Sequence, residues 1–359
     1  MMRRSAVKSA VSFTGTAKRG AVAMSQNSQE ALPQLMRGVV PSGPGGPDVL
    51  RIDRRGTPKP GPGEILIRVA YAGVNRHDCN QRQRGAPPPG ATDILGLEAS
   101  GLVAACGPGV ATYGIGDRVC ALTNGGSYAD YVIADAELVL PVPEGLTDGA
   151  AAALPEAVFT AWFNLVEICA LKAGEVVLIH GGASGVGAIA IQLARMLGAR
   201  VFATAGSEAK CAFACQQGAE SCFNYRSQDF VAALQQATGG YGADIIIDMA
   251  GGLYAEKNLH ALARRGRLTH LSSGQEPIFS APLGLIMQKQ AVVTGALLRP
   301  LEREQKAAIA REIQSHVWPR IGHDIVPAVD KIFPLESAAE AHAYMEAGSN
   351  RGKILLSIS

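Results

Sequence analysis

The chain has 359 residues, of which 47% are hydrophobic and 18% are charged, and it carries a formal net charge of +2. This length predicts about two domains with a large buried core, and the apolar fraction excludes an intrinsically disordered protein. So weak a charge does not favour binding to nucleic acid. No run approaching about 18 apolar residues predicts a membrane span.

The first residues differ from the rest of the chain in charge. Residues 1–29 contain five basic and no acidic side chains, which leaves 28 basic and 31 acidic residues, a net charge of −3, for residues 30–359. A basic leader rich in Ser, Thr and Ala is typical of an organellar transit peptide, whereas a secretory signal would need an apolar core segment. The alternative is a disordered tail, and we treat residues 1–35 as an N-terminal extension.

The seven cysteines are scattered along the chain and form no CxxC pair. This pattern argues against a disulfide framework and against a structural zinc site, and it fits a reducing compartment. Together with the leader, it predicts a protein of the cytoplasm or of the mitochondrial matrix.

Short β-strands separated by Gly and Pro clusters are predicted before residue 150. Their spacing is typical of a compact barrel. The predicted strands are 64–69, 102–105, 118–122, 127–133 and 138–140.

Strands and helices alternate after residue 150, which predicts a parallel sheet with helices on both faces. The predicted strands are 175–180, 201–205, 244–249, 267–271 and 291–297, and the predicted helices are 157–170, 186–197, 208–217, 229–237 and 254–263. Beyond this region we predict helices at 302–318 and 337–347 and a last strand at 352–358.

A glycine-rich loop lies between the first of these alternating strands and its following helix. The loop reads Gly182-Ala183-Ser184-Gly185-Val186-Gly187, and such a strand–loop–helix unit binds the pyrophosphate of a dinucleotide at the helix N-terminus. We expect Gly182 to make the turn, Gly187 to let helix and strand pack closely, and the Ser184 hydroxyl to donate to a phosphate or ribose. The alternative is a tight turn without a ligand.

The end of the next strand distinguishes the two nicotinamide dinucleotides. An NAD site has an acidic residue about 20 positions after the loop, but here Gly206 and Ser207 stand in that place and Lys210 follows. Tyr225 and Arg226 come after the following strand and can complete a pocket for a 2′-phosphate. The sequence therefore predicts NADPH as the cofactor.

The ligands of a catalytic zinc are missing from the first half of the chain. His77 is the only histidine among the first 150 residues, and with Cys79 it makes an unconvincing metal site. No G-x-S-x-G nucleophile motif occurs either. We therefore predict no metal site.

Three acidic residues lie near these candidate regions. Asp78 and Glu98 are candidate acids or bases, but we expect them instead to pair with Arg76, Arg82 or Arg118. Glu208 follows the predicted 2′-phosphate site and is expected to point to solvent.

Several blocks of the sequence, in order, resemble one enzyme family. The chain resembles the quinone oxidoreductases, which are zinc-free, zeta-crystallin-like members of the medium-chain dehydrogenase/reductase superfamily, and the resemblance covers about residues 36–359. It is most similar to the tumour-suppressor-inducible subgroup, particularly at 87–101 and 154–157. The matching blocks are 73–76, 87–90, 94–101, 116–119, 128–132, 143–146, 154–157, 182–187, 205–207 with Lys210, 224–225, 341–342, 344–346 and 352–354.

This resemblance implies an α/β fold of two domains with the active cleft between them. A GroES-like β-barrel domain would comprise residues 36–155 and 300–359, and a Rossmann domain with a doubly wound parallel sheet would comprise residues 156–299. It also implies a homodimer joined through the edge strand of the Rossmann sheet, at residues 291–298.

The resemblance also assigns roles to individual residues. Asn75 would lie near the nicotinamide ring, and zinc-dependent relatives carry Cys and His where this chain has Asn75 and Leu97. The implied cofactor contacts are Thr160 and Ser184 to Gly187 for ribose and diphosphate, Ser207, Lys210 and Tyr225 for the 2′-phosphate, Ser272 and Ser273 beside the nicotinamide, and Asn350 over the cofactor. One departure is the loop 83–86, which is one residue shorter than in the subgroup and lacks its Tyr.

The predicted reaction is hydride transfer from NADPH to a small-molecule electrophile, an ortho-quinone or an enone. Asn75 would donate to the acceptor oxygen or would only order its loop, and a proton would come from solvent because no dedicated acid is evident. The alternatives are an enoyl or alkenal reductase on the same scaffold and a protein that binds NADPH without turnover. A methyltransferase is disfavoured by the barrel blocks and by the sequence around Lys210.

Overall fold

The computed structural model describes residues 32–358 except Pro89 and Gln275. The predicted leader at 1–29 lies outside these residues, so its targeting role and the cellular location stay predictions. The predicted domain boundaries also stay predictions.

A mostly antiparallel sheet is built from both ends of the chain. It has seven strands in the order β14-β15-β3-β4-β5-β7, with β6 paired to β3, and a separate hairpin joins β1 and β2. The last strands therefore complete a sheet that the first strands begin. The bounds are β1 Leu35–Pro41, β2 Leu50–Gly56, β3 Glu64–Val74, β4 Glu98–Cys106, β5 Arg118–Leu122, β6 Tyr131–Asp135, β7 Val139–Pro141, β14 Val329–Pro334 and β15 Lys353–Ser357.

The second sheet is parallel throughout and has the strand order β10-β9-β8-β11-β12-β13. Numbered along the chain, this is the 3-2-1-4-5-6 order of a dinucleotide-binding sheet, in which the ligand binds where the order reverses. The alternating pattern predicted this parallel sheet, and the structure confirms it. The bounds are β8 Val176–His180, β9 Arg200–Ala205, β10 Ser221–Asn224, β11 Ala243–Asp248, β12 Leu262–His270 and β13 Val292–Gly295.

Helices pack against both sheets. In the first half of the chain, α1 follows β3 directly. The helices α2 and α3 come after β7 and before β8, the first strand of the parallel sheet along the chain. The bounds are α1 Arg76–Arg84, α2 Asp148–Ala152, α3 Pro155–Trp162, α4 Gly185–Met196, α5 Glu208–Gln216, α6 Phe230–Ala237, α7 Ala255–Ala261, α8 Leu283–Lys289, α9 Arg303–His316 and α10 Ala338–Glu346.

Among the residues that the structure describes, one helical run is long and apolar enough to cross a membrane by length and composition alone. It spans Asp148–Ile168, and 83% of its most apolar window is buried inside the protein. Its apolar side chains, such as Phe159 and Leu165, belong to the core that includes β8. The apolar composition of this run is therefore accounted for by burial in the core.

Several elements differ from the sequence prediction. The predicted helix 254–263 ends at Ala261, and the strand after it begins at Leu262 rather than at 267. The hairpin of β1 and β2 was not predicted, because most of the β2 residues are exposed or half-buried and its sequence lacks an apolar face. The predicted strand 127–133 overlaps the observed strand only at 131–133, the first residues of β6, Tyr131–Asp135.

Candidate active site

The glycine-rich loop connects β8 to α4 at the carboxyl edge of the parallel sheet. Gly181 adopts a φ of 66°, so the turn is made by Gly181 and not, as the sequence suggested, by Gly182. A Cβ on Gly182 would lie 2.7 Å from the Ala203 Cβ of the neighbouring strand, and a Cβ on Gly187 would overlap the Gly181 carbonyl oxygen. Glycine is thus required at both positions because the helix, the loop and the strand approach closely.

The N-terminus of α4 is capped from within the loop. The Ser184 Oγ accepts a hydrogen bond from the Gly187 N–H at 3.0 Å, and it lies 3.7 Å from the Met249 sulfur. The first N–H groups of a helix have no intrahelical acceptor, and here these belong to Gly185 and Val186. The predicted loop residues therefore form a cradle whose free donors and helix dipole suit a pyrophosphate.

A second group of polar residues surrounds Gly206, at the end of β9. A Cβ at Gly206 would lie 2.5 Å from the Tyr225 hydroxyl oxygen and 3.5 Å from the Arg226 Nε. Ser207 caps α5, since its Oγ accepts from the Lys210 N–H at 3.3 Å. The structure thus brings together the five residues that the sequence placed in the 2′-phosphate pocket.

Positive charge is concentrated at this corner of the molecule. Burial lowers the pKa of Lys210, the neighbouring Arg226 and Arg351 lower it further, and Asp330 partly opposes them. Sequence reasoning missed Arg351, which is 141 positions from Lys210 along the chain. Glu208 is exposed as expected, although its Oε1 also accepts from the Asn224 Nδ2 at 2.7 Å.

Asn75 lies between β3 and α1, and both ends of its amide have protein partners. Its Nδ2 donates to the Glu98 Oε1 at 2.9 Å, and its Oδ1 accepts from the Lys353 Nζ at 2.8 Å. Its backbone N–H donates to the Asp78 Oδ2 at 2.8 Å, which caps α1. The amide is therefore fixed in orientation by a buried ion pair.

The prediction that Asp78 and Glu98 pair with arginines was wrong. Glu98 is fully buried and pairs with Lys353, which is 4% exposed. Asp78 is fully buried and accepts from the Tyr128 hydroxyl at 3.0 Å. Two of the arginines pair with other carboxylates, Arg82 with Glu346 and Arg118 with Asp148.

Lys353 joins this polar cluster to the dinucleotide loop. The segment before it follows the loop, since the Gly352 N–H donates to the Ala183 carbonyl oxygen at 2.8 Å. The aliphatic stem of Lys353 occupies the space where a Cβ on Gly185 would be. The antiparallel sheet and the glycine-rich loop therefore meet at the Gly352 backbone and the Lys353 side chain.

Glu156, at the start of α3, is a half-buried carboxyl next to the same cluster. Its backbone N–H donates to the Glu98 Oε2 at 2.9 Å, and its Oε1 accepts from the Thr160 Oγ1 at 3.2 Å. Burial raises the pKa of Glu156 to about 7, with a further contribution from Glu98. Sequence reasoning missed this residue. The only indication in the sequence was that Glu156 lies within 154–157, one of the blocks that resemble the quinone oxidoreductases.

The other sequence-assigned residues lie around the loop. Ser272 and Ser273 follow β12, at the same carboxyl edge of the sheet, and the Ser272 Oγ accepts from the Gly274 N–H at 3.1 Å. The Asn350 Nδ2 donates to the Gly352 carbonyl oxygen at 2.9 Å, beside the loop contact of that residue. Their contacts with a cofactor stay predictions.

Comparisons with known proteins agree with this architecture. The model of the alcohol dehydrogenase GroES-like domain matches residues 61–144, and the model named zinc-binding dehydrogenase matches residues 185–314. A quinone oxidoreductase of Sus scrofa is 33% identical over 319 residues, which is 87% of this chain and 94% of that protein.

Another relative is much larger than this chain. A mycocerosic acid synthase-like polyketide synthase of Mycobacterium tuberculosis is 35% identical over 302 residues, which is 83% of this chain. The chain spans only 14% of that protein's length.

Two solved structures are similar over nearly the whole chain. The Escherichia coli quinone oxidoreductase complexed with NADPH has a TM-score of 0.80 and 30% identity and covers 90% of this chain and 100% of that chain. An NAD-dependent alcohol dehydrogenase has a TM-score of 0.77 with the same identity and coverage.

Proposed function

The chain belongs to the medium-chain dehydrogenase/reductase family of oxidoreductases, and on that premise we propose that it reduces a quinone with NADPH. The observation that carries the choice of cofactor is the corner around Gly206, where Lys210 and Arg226 supply positive charge and no acidic residue occupies the NAD position. The relatives that are named quinone oxidoreductases support the choice of acceptor.

The residues present fit NADPH. The pyrophosphate would bind in the cradle, because Gly187 carries no side chain that would fill the space beside Gly181. The cradle residues are Gly182, Ser184, Gly185, Val186 and Gly187. When bound, the nicotinamide supplies the hydride. The remaining assigned contacts are Gly206, Ser207, Lys210 and Tyr225 for the 2′-phosphate, Thr160 for the ribose, Ser272 and Ser273 for the nicotinamide side, and Asn350 over the cofactor.

Lys210→Ala is expected to weaken NADPH binding by about 1–2 kcal/mol and to leave NADH binding nearly unchanged, because a charged hydrogen bond to the 2′-phosphate is lost. Calorimetric titration with both dinucleotides measures this. Lys172→Ala removes the same charge at another exposed position and is expected to change neither affinity. An equal loss for NADPH and NADH in Lys210→Ala would contradict the 2′-phosphate assignment.

Asn75 is proposed to orient the acceptor rather than to act alone. Its Nδ2 donates to the Glu98 Oε1 at 2.9 Å and to the Gly73 carbonyl oxygen at 3.4 Å, so the amide would have to give up the longer of these bonds to donate to an acceptor oxygen. Asn75→Ala, assayed for kcat/KM and for NADPH affinity, tests this role, which is rejected if both values match those of the wild type.

The site is proposed to work without zinc. Leu97 is buried and apolar, and the Asn75 Oδ1 is bound to the ammonium of Lys353, so neither position suits a divalent cation. Among the described residues no group of three or more His, Cys, Asp or Glu side chains could hold a metal ion. A preparation treated with chelator should keep its full activity.

A homodimer through β13 is also proposed. This strand is the edge of the parallel sheet, and the exposed fractions of Val292 and Leu297 in this segment are 53% and 66%. Pairing of edge strands would cover both side chains. Sedimentation of the wild type and of Val292→Lys distinguishes a dimer from a monomer.

An enoyl or alkenal reductase is the second candidate, and the match to a polyketide synthase favours it. The loop 83–86 lacks the Tyr of the tumour-suppressor-inducible subgroup that the chain otherwise resembles, which also weakens a quinone-specific site. A panel of ortho-quinones and enals, followed by NADPH oxidation, separates the two activities. Tight NADPH binding with no oxidation across the panel would instead indicate a binding protein.

A further inference from the structure

Glu156 has a position that the proposed reaction has not yet used. It is the second residue of α3, and its backbone N–H is held by Glu98 while its Oε1 is held by Thr160. Its Oε2 makes no hydrogen bond within the described residues, and the side chain is only half-buried. One oxygen of this carboxyl is therefore available to a bound molecule.

The charges around Glu156 come from four elements and from the loop after β13. Glu98 on β4 and Asp78 on α1 disfavour its ionised form, and Lys353 on β15 favours it. Arg299, after β13, and Lys306, on α9, also interact with it. Since burial is the largest effect, the pKa of Glu156 rises to about 7, and the protonated form is present at neutral pH.

The neighbouring titratable groups are less suited to give up a proton. Glu98 is fully buried, and its oxygens are bound by Asn75, Lys353 and the Glu156 backbone. Asp78 also has a pKa raised to about 7, but it is fully buried among α1 and Tyr128.

His77 is likewise excluded as an acid. Burial, together with the nearby Arg299 and Arg84, lowers the pKa of His77 to about 4. Its imidazole is therefore neutral at pH 7, and its Nε2 contacts the Arg299 guanidinium.

Resting on the proposed function, we propose that Glu156 is the proton donor to the reduced acceptor. For an enone, the hydride that bound NADPH would give up, becoming NADP+, forms a C–H bond at the β-carbon with its electron pair, and the π electrons of the acceptor shift to give an enolate. The carboxyl O–H bond of Glu156 breaks, and its proton forms the second new C–H bond, at the α-carbon of the enolate. The resulting carboxylate takes a proton from water before the next turnover. This replaces the expectation that the proton comes directly from solvent.

The test compares Glu156→Gln with the wild type and with Glu167→Gln. Glutamine keeps the size and the acceptor for Thr160 but has no acidic proton, while Glu167 is exposed on the same helical run and serves as a matched control. The expected kcat, measured with whichever acceptor the wild type reduces (a quinone or an enone), falls about 100-fold in Glu156→Gln, within the usual range for loss of general acid catalysis, and stays unchanged in Glu167→Gln.

The pH dependence gives the sharper readout. Because the protonated carboxyl is the active form, wild-type kcat should fall as the pH rises through about 7, and this fall should vanish in Glu156→Gln. In the protein without cofactor, infrared difference spectra should contain protonated carboxyl absorption that titrates near the same pH, and the part due to Glu156 should be missing from Glu156→Gln while the part due to Asp78 remains. Reduction in D2O should place deuterium on one face of the α-carbon in the wild type only.

The possible outcomes distinguish a failure of the proposed function from a failure of the role of Glu156. A wild type that reduces neither quinones nor enones overturns the proposed function and the role of Glu156 together. An active wild type whose rate, pH profile and deuterium placement are unchanged in Glu156→Gln overturns the role of Glu156 alone. Loss of the Glu156 part of the carboxyl absorption together with the 100-fold loss of kcat supports it.

Discussion

Lys353→Met is expected to lower the free energy of unfolding by about 3–5 kcal/mol, the range for removing one partner of a buried ion pair. Glu98 is fully buried and Lys353 is 4% exposed, so the variant would leave an uncompensated carboxylate in the interior. The loss of the ammonium would also leave the Asn75 Oδ1 without its donor. Urea unfolding at pH 7, followed by circular dichroism, measures the change.

Two further variants make this result specific. The double variant Glu98→Gln/Lys353→Met removes both charges and should recover most of the lost stability, because the buried unpaired charge is then gone. Lys172→Met, at an exposed lysine, should change the free energy of unfolding by less than about 0.5 kcal/mol. If Lys353→Met changes the free energy of unfolding as little as Lys172→Met does, the buried ion pair does not contribute to stability.

Gly187→Ala is expected to destabilise the protein by about 1–3 kcal/mol, as overpacking does, and to weaken NADPH binding by about tenfold or more. The added methyl would overlap the backbone at Gly181, which cannot move aside as a flexible side chain does. The N-terminus of α4 must then shift away from the loop that forms the pyrophosphate cradle. Thermal unfolding and NADPH titration measure the two effects.

A glycine in open space provides the control. A Cβ on Gly284, in α8, would meet nothing within 4 Å, so Gly284→Ala should be neutral or stabilising by up to about 1 kcal/mol through helix propensity. Unchanged NADPH affinity in Gly187→Ala would show that the close approach of helix and loop is not needed for binding.

Local sequence patterns were sufficient to predict the parallel sheet and its glycine-rich loop. The alternation of apolar strands with amphipathic helices is a short-range signal, and the loop lies where that signal changes from strand to helix. The same reasoning placed Gly206, Ser207, Lys210 and Tyr225 together, because parallel strands end at one edge of the sheet.

The polar cluster could not be predicted in the same way. Glu98 and Lys353 are 255 positions apart, and sequence reasoning paired Glu98 with arginines because it considered residues that are near in sequence. The pKa of Glu156 depends on burial and on Glu98, neither of which is visible in a helical pattern. Likewise, the positive φ of Gly181 depends on how the strand leaves the sheet, so the turn was assigned one residue too late.

The most direct test of the central claim is kcat/KM for one acceptor, measured with NADPH and with NADH on the same wild-type preparation. Two charged contacts to the 2′-phosphate, from Lys210 and Arg226, predict a preference for NADPH of roughly 100-fold, since each such contact contributes about 1–2 kcal/mol and about 1.4 kcal/mol corresponds to a tenfold change. An equal rate with both dinucleotides, or a preference for NADH, would contradict the account.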